Sequence, residues 1–186
     1  MRWRQVTVLW VVAALLGAQY VLVDRRTPVV HPAERPVRPR LLPSIAVDTV
    51  VGVRLEQEGV AVALRRHGEA WAVEQPTGGR VAAGLIQAFV ESLTAVEEID
   101  RFPRGTHGDG DLGFGDGALR LHVLAADGRE LHLTVGSRNA AGTAVYARLD
   151  DAGDAVLIGR NVEYYASLIL QEVRRSAEPA GEGPIA

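Results

Sequence analysis

Cysteine does not occur in this chain. Disulfides, thiolate catalysis, a thioether-linked lipid anchor and cysteine-ligated zinc or iron–sulfur centres are therefore excluded together. The redox compartment stays open. Lysine is missing as well, since all 20 basic residues are arginine. That removes Schiff-base chemistry and the lysine of a phosphate-binding P-loop. The arginines are scattered and the net charge is −3, so a general nucleic-acid binder is not indicated. The serines (Ser44, Ser92, Ser137, Ser167 and Ser176) never fall in a G-x-S-x-G elbow. No G-x-G-x-x-G follows a strand pattern.

Against these absences stands one long apolar run, Val6 to Val23, VTVLWVVAALLGAQYVLV. It carries no charge, and its 18 or so positions would span about 27 Å as a helix, close to the thickness of a bilayer core. Three readings compete. An uncleaved signal anchor is preferred. A cleaved signal peptide would use Val6 to Leu16 as its apolar region and Leu16-Gly17-Ala18 as its cleavage site, where leucine is a poor fit. A buried core helix would need more surrounding chain than is present. Arg2 and Arg4 before the run, followed by a domain, match the order of an export signal. Arg25, Arg26, Arg35, Arg38 and Arg40 after it argue for the opposite orientation. The preferred placement is a bacterial inner membrane with the domain on the extracytoplasmic, periplasmic side.

Asp24 to Pro43 holds Pro28, Pro32, Pro36, Pro39 and Pro43. Proline fixes φ and extends its predecessor, so this stretch reads as a stalk reaching about 60 Å, either stiff or as a loose tether. Its arginines are also suited to anionic headgroups. The expected organisation is a tail over 1–5, an anchor over 6–23, a stalk over 24–43, one domain over 44–176 and a disordered tail over 177–186. A domain of this length can bury its own core.

Within the domain, Val51, Val53 and Leu55 alternate with polar or small residues, as do Val60, Val62 and Leu64. With Trp71 and Val73, and turns at Glu58-Gly59 and His67-Gly68-Glu69, they predict a three-strand antiparallel meander. Helical spacing follows over Val81 to Glu98. Val81, Leu85, Phe89, Leu93 and Val96 lie on its apolar face, and Gln87, Glu91, Thr94 and Glu98 on its polar face.

A Gly- and Asp-rich loop, Gly105 to Gly117, leads to a second hairpin. A two-residue Asp127-Gly128 turn would mix its faces. A three-residue loop, Ala126 to Gly128 with Gly128 left-handed, pairs Val123 with Leu131 and Leu121 with Leu133. Strands are expected over Ala144 to Leu149 and Ala155 to Ile158, around a turn at Asp151-Ala152-Gly153. A last helix is expected over Val162 to Arg175, with Asn161 as its N-cap. The fold class is α+β: antiparallel strands in two meander-plus-helix halves, an internal structural repeat, preceded by one transmembrane helix.

Trp71 and Pro76 in AWAVEQP, Leu112-Gly113-Phe114 ahead of ALRLHVL, and Tyr146 in AVYARL after LTVGS resemble the bacterial domain-of-unknown-function family 4340. The resemblance covers about Ile45 to Arg175. The chain departs from the family where Gly117 stands near a usual proline, and where Gly79 and Arg80 stand near a usual aspartate. The resemblance implies a membrane-anchored, non-catalytic domain, of the kind often encoded beside ABC-type transporter and gliding-motility components. No catalytic residue carries over.

Candidate chemistry is sparse. His122 and His132 face each other in the preferred register, about 5 Å apart at Cβ. Two imidazoles can chelate a divalent ion, but no third ligand is near in sequence, so a solvated polar pair is the plain reading. Asp109, Asp111 and Asp116 fail the EF-hand spacing, because Gly113 and Arg120 occupy the fifth and twelfth places. Glu97, Glu98 and Asp100 read as a solvated helix end rather than a glycosidase pair. Tyr164 and Tyr165 are expected half in the core and half at an interface. The expectation is therefore no enzyme, no cofactor and no nucleic acid. The chain reads as an interaction or assembly module, an accessory of a transporter-like or cell-envelope complex with a protein partner there. An extracytoplasmic domain binding a glycan or lipid is the alternative.

Overall fold

A computed structural model describes Trp3, residues 38–149 and residues 153–177. The expected anchor over Val6 to Val23, most of the stalk and the Asp151-Ala152 turn lie outside the described residues. Among those described, no helix is long and apolar enough to cross a membrane.

The domain is α+β, with one eight-stranded antiparallel sheet and two helices. The strands are β1 (Val50–Gln57), β2 (Val60–His67), β3 (Ala70–Gln75), β4 (Glu98–Phe102), β5 (Leu119–Ala125), β6 (Glu130–Arg138), β7 (Ala144–Leu149) and β8 (Ala155–Gly159). The helices are α1 (Ala83–Thr94) and α2 (Asn161–Ala177). Their order across the sheet is β3-β2-β1-β5-β6-β7-β8-β4. The first and second meanders therefore meet at β1 and β5, in mid-sheet.

Period-two alternation puts one apolar row on the inner face. Val53 lies between Leu64 and Val123, and Leu55 between Val62 and Leu121. Leu121 continues to Leu133, Val135 to Ala147, and Ala147 to Val156. All are buried. The helices close this face with Ile86, Phe89, Val90 and Leu93 from α1 and Val162, Ala166, Ile169, Leu170 and Val173 from α2. Burying each such side chain contributes about 1.5–3 kcal/mol, which makes this layer the main source of stability.

The hairpin takes the expected three-residue register. Val123 pairs with Leu131, His122 with His132 and Leu121 with Leu133. Gly128 has φ 84°, a left-handed value that costs glycine least.

Several expectations are corrected. The first helix stops at Thr94 rather than Glu98, and Glu98 and Asp100 belong to β4. Pro39 O accepts from Glu98 N–H and Val96 O from Leu41 N–H, both at 2.9 Å. These bonds hold the segment extended. Thr94, expected on the polar face, is 3% exposed, and its hydroxyl donates to Val90 O at 3.0 Å. The stalk was expected to run to Pro43, but Leu41 and Leu42 are buried in the core. Asn161 opens α2 as its first helical residue instead of capping it, since Arg160 O accepts from Tyr164 N–H at 2.9 Å. That helix continues to Ala177.

Candidate functional site: the outer face of the sheet

The side chains that alternate with the core row point to the other face, where neither α1 nor α2 lies. It has two sectors, one roofed by a loop and one that none of the described residues roofs.

Residues 103–117 roof the β6–β8 sector. Leu112, the first residue of the Leu-Gly-Phe element, is buried. Its carbonyl accepts from Ser137 N–H at 2.9 Å. The approach is so close that a Cβ on Gly136 would collide with Leu112 O, and one on Gly113 (φ 75°) with Ser137 N. Phe114 lies under the Arg148 guanidinium, 4.4 Å from its ring centroid. Arg148 also pairs with Asp109. The hydrogen bond from Arg148 holds the Asp109 carboxyl below the usual carboxylate range, with the guanidinium charge adding to it. Tyr146 sits beside Phe102, ring centroids 5.8 Å apart, and Phe102 meets His107 at 5.5 Å. Thus Leu112, Gly113, Phe114 and Tyr146 converge on one roofed patch. Trp71 and Pro76 lie away from it: Trp71 is a core residue of β3, and Pro76 follows β3 through a cis peptide bond.

The β3–β2–β1–β5–β6 sector carries Arg65 and Ala63 from β2, Gly52, Arg54 and Glu56 from β1, Arg120 and His122 from β5, and Glu130 and His132 from β6. In register, Arg54 lies beside His122, and His122 beside His132. The two imidazole centroids are 4.4 Å apart at 52°. Glu130 Oε2 is 4.0 Å from His132 Nε2. Arg54 is about half exposed and is paired to Glu56. Gly52 and Ala63 help to line a shallow depression of about 250 Å³, with Arg54, Arg65, Glu74, His122 and Glu130 around it.

The remaining sequence candidates stay apart. Glu98 pairs with Arg101 at the sheet edge, raising the arginine above its ordinary value. Asp111 accepts from Gly108 N–H at 3.3 Å within its loop. Tyr164 is 54% exposed and Tyr165 is partly buried against the core, with centroids 5.4 Å apart. Among the described residues no three His, Asp or Glu side chains converge as a metal cluster. The basic row was hidden in the sequence because Arg54, Arg65 and the two histidines lie up to 78 positions apart in sequence and become adjacent only through strand pairing. No family model, curated protein or solved structure matches this chain.

Proposed function

We propose that this chain is a membrane-anchored extracytoplasmic interaction module, an accessory part of a transporter-like or cell-envelope complex, without catalysis of its own. The apolar run Val6 to Val23 supports the anchor, and the resemblance to family 4340 supports the setting. The observation that carries the reading is the outer sector, which stands uncovered among the described residues. A single helical layer covers the inner face, while Arg54, Arg65, Arg120 and His132 stand exposed on the other. A rigid sheet with exposed side chains fixed by strand register is a suitable platform for a protein partner. The fold is read further as a repeat, with β1–β3 and α1 as one half, β5–β8 and α2 as the other, and β1 against β5 at their junction.

The test is photo-crosslinking in native membranes, with the probe placed at Arg54 or Arg65 and, as a contrast, at the exposed Glu91 of α1. A permease or other envelope protein crosslinked only from the outer face, and co-purified in stoichiometric amount after mild detergent extraction, is the expected result. Recovery of the intact chain alone would overturn the assembly reading.

A second reading, a small extracytoplasmic ligand, is favoured by the depression of about 250 Å³ beside Gly52 and Ala63. Small residues in mid-strand admit a ligand close to the backbone. Arg54, Arg65, Glu74, His122 and Glu130 around it offer hydrogen-bond donors and acceptors that suit a glycan's hydroxyls.

A further inference from the structure

We infer that His122 and His132 form a two-imidazole site for a divalent transition-metal ion of the zinc class. This goes beyond the partner-binding role and does not depend on it.

Ala125 N–H donates to Arg129 O at 2.9 Å, and Gly128 N–H to Ala125 O at 3.0 Å, at the end of the hairpin. Ala125 and Arg129 are thus a hydrogen-bonded pair. In an antiparallel ladder such pairs alternate with non-hydrogen-bonded ones, whose side chains approach more closely. Counting back through the register, Val123 with Leu131 is hydrogen-bonded and His122 with His132 is not. The two imidazoles therefore occupy the closer kind of cross-strand position.

Zinc binds imidazole nitrogen at about 2.0–2.1 Å, so two nitrogens on one tetrahedral ion lie about 3.4 Å apart. The ring centroids are 4.4 Å apart and tilted by 52° rather than stacked face to face. Rotation of the side chains can bring one nitrogen of each ring to that separation without moving the strands. Because β1 and β6 pair with β5 on both sides, the platform is already fixed.

Arg54 lies next in the row and would oppose a cation, but its guanidinium is paired with Glu56. Glu130 brings a carboxylate to 4.0 Å from His132 Nε2, so negative charge flanks the pair on the other side. Among the described residues no third His, Asp or Glu joins the pair as a metal cluster, so water would complete the coordination shell. The site is accordingly of moderate affinity, and the fold does not depend on it.

The experiment is calorimetric titration of the full chain in detergent with Zn²⁺ alone. Wild type is expected to take up one ion per chain, with water completing the shell around the two imidazoles. His122→Gln and His132→Gln should each weaken binding at least about 10-fold, since losing even an outer-shell partner of a metal ligand costs that much. His31→Gln, His67→Gln and His107→Gln should leave it unchanged. As a second readout, Zn²⁺ should raise the Tm of wild type but not that of either pair variant. Circular dichroism would establish that those variants are folded. No uptake by wild type up to about 1 mM Zn²⁺ overturns the site. Retention of full affinity by either pair variant overturns it equally.

Discussion

The two faces of this sheet are made by the same strands and the same alternation, yet they hold opposite kinds of surface. On the inner face, Val53, Leu55, Leu121 and Leu133 form a continuous buried row beneath two helices. On the outer face, the residues between them are Arg54, Glu56, Arg120, His122 and His132, and only part of that face is roofed. The difference separates stability from recognition. Area removed from water supports the fold, whereas an exposed ion pair such as Arg54–Glu56 adds little to it. A side chain on the bare sector is thus available for binding without endangering the domain.

The largest effect is expected where the comparison is broken from the inside. Phe89→Ala empties a fully buried site under α1 and should cost about 3–5 kcal/mol, read by urea denaturation. A loss below about 1 kcal/mol would mean that the inner layer is loosely packed.

Next comes the junction between sheet and roof. Gly136→Ala places a methyl group against Leu112 O and should cost roughly 1–3 kcal/mol. Residues 103–117 should become sensitive to protease while the core stays folded. Unchanged proteolysis would show that the loop is not held by this contact.

Acid should loosen the roof more gently. The folded-state pKa of Asp109 is lowered by Arg148, so its contribution is present above the ordinary carboxylate value. It is lost as pH falls through the folded value. Amide NMR signals of Gly113 and Phe114 should shift through that acidic range, and Asp109→Asn should abolish the shift. Asp127 is also lowered, by hydrogen bonds within its own turn from Arg129. Asp127→Asn should leave the roof transition in place.

The smallest effect on stability, and the sharpest contrast, belongs to the bare sector. Arg54→Ala and Arg65→Ala should change stability by no more than about 0.5 kcal/mol. Both should weaken the partner crosslink from the outer face. A large loss of stability from either would remove the distinction between the two faces.

Much of the fold was legible from local pattern. Alternation identified the strands at Val51 to Leu55 and Leu119 to Val123, and face matching chose the three-residue loop ending at Gly128. β4 was not legible. Glu97 and Glu98 suit a helix, and Leu93 and Val96 continue its spacing. Its extended form depends on bonds to Pro39 and Leu41, more than fifty residues earlier. The candidate site was legible only in part. His122 opposite His132 followed from register, but Arg65 joined that face through β2–β1 pairing. Leu112-Gly113-Phe114 was visible as a packing element, and nothing local identified Gly136-Ser137 as the surface on which it lands.

The sequence by itself determined what chemistry is available: no thiol, no lysine, an apolar run, and strands with one apolar side. These depend only on residue type and short-range spacing, which the chain states directly. The tertiary structure alone decided that the two meanders join through β1 and β5, that the helix gives way to β4, and that one outer sector is roofed while none of the described residues covers its neighbour. Those outcomes rest on contacts between residues distant in sequence, where close approach of backbones and competition for buried hydrogen bonds outweigh local preference.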